Sequence, residues 1–269
     1  MVRDVGKDIR LNRIFRKSSN RTLIVAMDHG SADGPLKGIE RPAETIMKLV
    51  KGGADALLTT TGVIRSNHSL MAGDISFIMR ISGSGTPVGP EGLQHHVSTI
   101  TRSVESAIKM GADAVAVTAF IGCPGESAML QNLNIVAESC EDWGMPLLAE
   151  MIPVTENPYS EESVSIAARV GAELGADMIK TYYTGTPETF REVVKKCYVP
   201  VVILGGPKTG DEMKMLESIE GSLKAGGRGV AFGRNVWQHP DPVSITRAIG
   251  SIIHRRATAE QALRVLHPK

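Results

Sequence analysis

Short runs of contiguous apolar and β-branched residues alternate along the chain with segments whose apolar positions recur every three or four residues. The runs are TLIVAM at 22–27, ISFIMRIS at 75–82, PLLAEMI at 146–152 and VPVVILGG at 199–206. Four more open on a recurring tripeptide: GADALLTT at 53–60, GADAVAVTA at 111–119, GADMIKTYY at 175–183 and the degenerate GGRGVAFG at 226–233. Runs of this length and composition predict buried strands, and the intervening periodicity predicts helices. Each copy of the repeat follows a helical pattern, and its glycine suits a helix C-terminus that turns back into a strand. Before the second copy, Val97, Ile100, Val104, Ala107 and Ile108 stand at helical spacing and predict a helix over 96–110.

Strands that alternate with helices pair in parallel, because each crossover needs about a dozen residues and a helix supplies them. The count of roughly eight strands is the number that closes a TIM (β/α)8 barrel. A doubly wound open sheet is the rival. Its G-x-G-x-x-G signature is absent, and the nearest stretch, GSGTPVG at 83–89, has the wrong spacing. The repeat crosses the middle of the chain and no linker divides it, so residues 1–269 read as one barrel domain with an N-terminal extension over 1–20. Ile9, Leu11, Ile14 and Phe15 in that extension read equally well as a helix capping the barrel floor or as an oligomer contact.

Composition narrows the function. With 42% hydrophobic and 22% charged residues the chain can bury a large core, which excludes a disordered protein. Thirty Lys and Arg against 29 Asp and Glu leave a net charge of +1, which removes the main argument for a nucleic-acid or anionic-membrane partner. No apolar run approaches the length of a membrane span, and the N-terminus lacks the apolar core of a secretory signal. Cys123, Cys140 and Cys197 are far apart, which suggests neither a disulfide framework nor a zinc knuckle. A cytoplasmic protein is expected.

In such barrels the reacting groups lie at the C-terminal strand ends, so polar residues there are the candidates. Asp28 and His29 directly follow the first strand; Asp28 reads as a turn former or as a proton-transferring carboxylate. Alternation puts Met178, Lys180 and Tyr182 on one face of the sixth strand. A lysine buried there would lose its proton more readily and could attack a carbonyl; the alternatives are a snorkelling side chain or a core ion pair. Glu150 shares a face with Leu148 and Ile152 on the fifth strand, as a partner for Lys180 or as an acid or base. Arg80 is a substrate clamp or an internal ion-pair partner. Gly205, Gly206 and Lys208 after strand seven, with Gly233 and Arg234 after strand eight, occupy the places where barrels bind phosphate. His29, Arg80 and Tyr182 are the candidates for holding substrate. The adjacent His95 and His96 would diverge on a helix and no H-E-x-x-H occurs, so no metal and no other cofactor is expected.

Several stretches then match a known pattern in order along the chain: MDHG at 27–30, GPLKG at 34–38, GADAVAV, AESCEDWGMPL at 137–147, IKTYYTG at 179–185, GGPKT at 205–209 and GRNVWQH at 233–239. The sequence resembles the archaeal-type class I fructose-bisphosphate aldolase family, with its heptulosonate synthase and phospho-autoinducer-2 thiolase members, over essentially its whole length. The resemblance implies a Schiff-base lysine at Lys180, an acid/base carboxylate at Asp28, phosphate held by Gly205, Gly206, Gly233 and Arg234, and a homo-oligomer built from pentameric rings. One departure matters. The aldolases and the heptulosonate synthase carry a tyrosine in a Y-P-R-G motif ending strand five, whereas this chain reads Met151-Ile152-Pro153-Val154, with Ile152 in the tyrosine's place. Glu150 is the candidate substitute. The expected function is a metal-independent Schiff-base aldolase acting on a phosphorylated ketose. The alternatives are a transaldol heptulosonate synthase or an acyl-transferring thiolase on a phosphorylated diketone, and a non-catalytic phosphosugar-binding barrel.

Overall fold

The computed structural model describes residues 4–89, 96–206 and 210–268, so Lys208 and His95 lie outside the described residues. The apolar runs form the strands β1 (Thr22–Ala26), β2 (Ala56–Thr59), β3 (Ser76–Arg80), β4 (Ala114–Ile121), β5 (Leu147–Pro153), β6 (Met178–Thr181), β7 (Val201–Leu204) and β8 (Gly229–Phe232). Each pairs in parallel with the next, and β8 pairs with β1 to close an eight-stranded barrel. At the seam, Thr22 stands opposite Gly229, whose φ is +142°. A Cβ on Gly229 would lie 1.9 Å from the Thr22 carbonyl oxygen, so glycine is required for closure there.

The helices in chain order are α1 (Val5–Ile14), α2 (Pro42–Gly52), α3 (Thr61–Asn67), α4 (Val104–Lys109), α5 (Glu126–Asp142), α6 (Glu161–Glu173), α7 (Pro187–Lys196), α8 (Glu212–Lys224), α9 (Arg234–Trp237), α10 (Pro242–Arg255) and α11 (Ala259–Leu266). Strand alternation divides the apolar residues into two cores. Leu23, Val25, Leu57, Val115, Leu147 and Ile179 face outward and pack in the shell formed with the helices. Ile24, Ala26, Leu58, Ile78, Ala116, Leu148, Met178 and Val202 face inward and fill the barrel. Ile14 and Phe15 belong to this inner core, with Leu11 packed against it, so the end of α1 plugs the floor. Of the two readings of these apolar positions, the floor cap is the one this chain displays, while Ile9 stays half-exposed.

The repeat has a structural explanation. Gly53, Gly111, Gly175 and Gly226 all have left-handed φ, between +77° and +105°, where each chain leaves a helix. The aspartate two residues on ties neighbouring strands together. Asp55 accepts from the Leu23 N–H (2.6 Å), Asp113 from Phe77 (3.3 Å) and Asp177 from Leu147 (2.8 Å). Each also receives a cation from the N-terminal segment: Arg16 on Asp55, Arg13 on Asp113 (3.0 Å) and Lys7 on Asp177 (3.1 Å). The extension therefore docks by an apolar plug and a ring of ion pairs.

The helix expected over 96–110 is shorter. Thr99–Ile100 forms an antiparallel pair with Ser82–Gly83 instead, and α4 begins only at Val104. The Ser103 hydroxyl accepts from the Ser106 N–H and caps the helix, while the β-branched Thr99, Ile100 and Thr101 favour the extended form.

Candidate active site

Above the apolar filling, the inward positions of the strands turn polar at their C-terminal ends. By alternation, Lys180 follows Met178 on β6, Glu150 follows Leu148 on β5, Thr118 follows Ala116 on β4, Arg80 follows Ile78 on β3, and Asp28 extends the face of Ile24 and Ala26 beyond β1. Register brings them level. Thr118 stands opposite Glu150, and Glu150 opposite Lys180.

These side chains form one connected array of alternating charge. Lys180 Nζ pairs with Glu150 Oε1, and Arg80 Nη2 donates to Glu150 Oε2. Arg80 Nε donates to Asp28 Oδ2 at 2.8 Å and its Nη1 to Thr118 Oγ1 at 2.6 Å. The Thr118 hydroxyl donates to Glu150 Oε2 at 2.9 Å. Two cations and two anions leave the array neutral, and each charge meets an opposite one, which offsets the cost of removing them from water.

The surroundings set the protonation states. Burial pushes the Glu150 carboxyl up, but Lys180 and Arg80 outweigh it and hold the group far below the usual carboxylate range. Burial likewise opposes ionisation of Asp28, and Arg80 and Lys180 bring it below its ordinary value. For Arg80 the loss of solvent is overcome by Glu150 and Asp28, which raise it. His29 is lowered, mainly by burial; Asp28 opposes this, whereas the Lys180 and Arg234 charges add to it. Lys180 is thus an ion-pair partner of Glu150, one of the alternatives open from sequence.

Asp28, His29, Arg80, Glu150, Ile152 and Lys180 all line one cavity of about 300 Å³ at the barrel mouth. Tyr182 is half-buried, with its ring 4.5 Å from that of Tyr159, and does not line this cavity. Gly205 packs against the Phe232 ring, where a Cβ would come within 2.9 Å, and its carbonyl accepts from Asn235 Nδ2 at 2.7 Å. Gly206 has a left-handed φ of +60°. Gly233 lies against the mouth wall: a Cβ there would meet the Ala26 carbonyl oxygen and His29 Cε1, both at 2.7 Å. Arg234 opens α9, and its buried Nε has no hydrogen-bond partner among the described residues. Lys208 lies outside the described residues.

Two contributors escaped the sequence reading. Thr118 bridges Arg80 and Glu150, and Ser82 accepts from the Thr118 N–H at 3.0 Å. The signal for Thr118 was its even spacing from Ala114 and Ala116 along GADAVAVTA, which assigns it to the inward face. Nothing local marks Ser82.

A closed parallel barrel with a buried lysine and its carboxylate partner at the C-terminal mouth defines a barrel enzyme of the aldolase class. Over residues 22–239 the chain matches the family described as DeoC/LacD family aldolase, and it belongs to that family. It is 37% identical to 2-amino-3,7-dideoxy-D-threo-hept-6-ulosonate synthase 1 of Archaeoglobus fulgidus, over 96% of this chain and 95% of that protein. It is 34% identical to 2-amino-4,5-dihydroxy-6-oxo-7-(phosphonooxy)heptanoate synthase of Streptomyces griseus, over 94% and 92%. Among solved structures, it superposes with a TM-score of 0.83 on an archaeal fructose-1,6-bisphosphate aldolase whose catalytic Lys is covalently bound to the carbinolamine intermediate, at 32% identity and covering 93% of this chain and 99% of that one. The protein is a class I aldolase.

Proposed function

We propose that Lys180 is the Schiff-base nucleophile of this aldolase and that the substrate is a phosphorylated ketose such as fructose 1,6-bisphosphate. The observation that carries the reading is the position of Lys180: among the described residues it is the one buried lysine, it lines the mouth cavity, and it is paired with a carboxylate placed to relay its proton. Phosphorylated compounds appear in the names of similar proteins, and Arg234 with the glycines after β7 and β8 supplies a cation and close backbone approach for a phosphate.

The chemistry follows from the array. Glu150 relays a proton from Lys180 Nζ to the substrate carbonyl oxygen as the freed lone pair forms a C–N bond to the carbonyl carbon, so the carboxylate never has to keep it. This gives a carbinolamine, and a second proton passed from the nitrogen to its oxygen lets that oxygen leave as water. The resulting iminium accepts the electron pair of the adjacent carbon–carbon bond. As that bond breaks, Asp28, oriented by Arg80, accepts the proton of the hydroxyl that becomes the aldehyde. The enamine is then reprotonated at carbon, and water hydrolyses the iminium to return the amine.

Borohydride reduction in the presence of dihydroxyacetone phosphate tests this. A covalent adduct mapped to Lys180 by peptide mass spectrometry is expected, and its absence rejects the assignment.

A second reading is favoured by Ile152, which lines the cavity where the resemblance places a phenol. With no phenol there, acyl transfer from a phosphorylated diketone to a thiol is the alternative outcome for the same amine. Release of acyl-coenzyme A from such a diketone, without cleavage of fructose 1,6-bisphosphate, would establish it.

We also infer a cytoplasmic homo-oligomer. No helix among the described residues is long and apolar enough to cross a membrane, and Ile135, Trp143 and Ile166 stand half-exposed on the outer layer. Light scattering on the purified protein measures the assembly.

A further inference from the structure

The fourth copy of the repeat reverses a charge. In the first three copies the third residue is aspartate, and its N–H donates to the carbonyl of the preceding neighbour strand: Asp55 to Leu23, Asp113 to Phe77, Asp177 to Leu147. In the fourth, Arg228 makes the same backbone bond, to the Val201 carbonyl at 2.8 Å, after a glycine in the same left-handed conformation. The three aspartates each take a cation from the N-terminal segment. Among the described residues Arg228 pairs with no anion.

Two more arginines join it. Arg21, Arg228 and Arg256 line a polar cavity of about 380 Å³ beneath the β1/β8 seam, at the end of the barrel opposite Lys180, with Ser18, Ser19 and His254. Among the described residues none of the three has a carboxylate within ion-pair distance. Asp55, the acid closest in the bonding network, is already committed to Arg16, His254 and the Leu23 N–H. The arginines feel one another: burial and the charges of Arg256 and Arg228 lower Arg21 from its ordinary value. Among the described residues their hydrogen bonds are few. Arg21 Nη1 donates to the Ile253 carbonyl at 3.1 Å and Arg228 Nη1 to the Asn20 carbonyl at 3.4 Å, which leaves most of each guanidinium fork open. Arg256 is fixed at the end of α10 with a left-handed φ of +58°, a conformation that ordinarily favours glycine or asparagine.

We propose that this floor cavity, built by Arg21, Arg228 and Arg256, is a binding site for a small multivalent phosphate anion, separate from the reaction site. Guanidinium forks match phosphate oxygens in geometry as well as charge, and a bound anion would supply the counter-charge that the fourth repeat lacks. Arg21 and Arg228 immediately precede β1 and β8, so the ligand would clamp the floor end of the strands that lead to Asp28 and Gly233 at the other.

The test is calorimetric titration of inorganic pyrophosphate, at constant ionic strength, into the full-length protein and an Arg228→Gln/Arg256→Gln variant. The parent is expected to show a class of about one site per chain that the variant weakens by at least about tenfold, while Lys180→Met retains it. Arg256→Glu, at an exposed helix end, is the second variant and should abolish the same class. If the arginines serve only to cap the C-terminus of α10, the variants will lower the melting temperature without ligand and leave the isotherm of the parent unchanged. That result overturns the proposal, as does unchanged binding in Arg256→Glu.

Discussion

Glu150 and Lys180 stand directly opposite each other on β5 and β6, and their side chains close an ion pair inside the barrel mouth. Parallel register, not proximity in sequence, makes this pair. A slip of one residue in either strand would turn one partner out into the helical shell and leave the other charge buried alone. The pair is therefore coupled to the same alternation that sends Leu148 and Met178 into the inner core.

Replacing Glu150 with Gln should damage both chemistry and stability. The amide cannot relay the Lys180 proton, and Lys180 and Arg80 lose their shared counter-ion. Turnover should fall by roughly 10²–10⁴-fold, and urea denaturation should show a loss of about 3–5 kcal/mol, typical of a broken buried pair. Turnover within about twofold of the parent would remove Glu150 from the proton path.

The array also sets an acid limit. Glu150 and Asp28 have folded-state pKa values below their ordinary 4.5 and 3.8, so the unfolded chain binds protons first as the medium is acidified. Their stabilisation is complete above about pH 4.5 and is lost as pH falls through the depressed folded values. His29 acts in the same direction at a higher pH, because burial lowers it from 6.5 and the unfolded chain protonates first. Melting temperatures measured from pH 2 to 7 should therefore decline in two stages. Asp28→Asn should flatten the lower stage and His29→Gln the upper; identical profiles for all three proteins would contradict the assignment.

Ile152 offers a direct test of reaction type. It lines the cavity beside Glu150 and Lys180, so Ile152→Tyr adds a phenol where the resemblance places one. Cleavage of fructose 1,6-bisphosphate is expected to rise by at least roughly tenfold, a modest share of what a positioned acid or base contributes. No change would mean that proton transfer at this mouth is complete without a phenol.

The floor plug can be tested without touching the chemistry. Ile14 is fully buried in the inner core, and Ile14→Ala should cost about 2–5 kcal/mol by leaving a cavity under the strands. Turnover should stay that of the parent in the folded protein. A change below about 0.5 kcal/mol would mean that α1 contributes little to holding the barrel closed.

The inward face of a strand can be read from spacing two residues apart, which places Lys180 with Met178 and Glu150 with Leu148, whereas Arg80 stands out only as a charge within an apolar run. The same rule applied to GADAVAVTA would have added Thr118. Residues 96–110 failed for a local reason: their apolar spacing fits a helix, but Ser103 caps one at Val104 and the preceding β-branched residues pair with Ser82–Gly83. The repeat was visible, its purpose was not. Three aspartates spaced along the chain give no sign that Lys7, Arg13 and Arg16 of one short segment will reach all of them.

Chain order and residue type were sufficient for the barrel, the location of its mouth and the amine within it, because strand alternation and helical periodicity are local and survive without neighbours. The charge environment of that amine was not a local matter. It depends on which charges stand within a few ångströms, and only closure of the sheet brings Asp28, Arg80, Glu150 and Lys180, spread over most of the chain, into one array. The same holds at the floor, where three arginines that look unrelated in the sequence surround a single cavity.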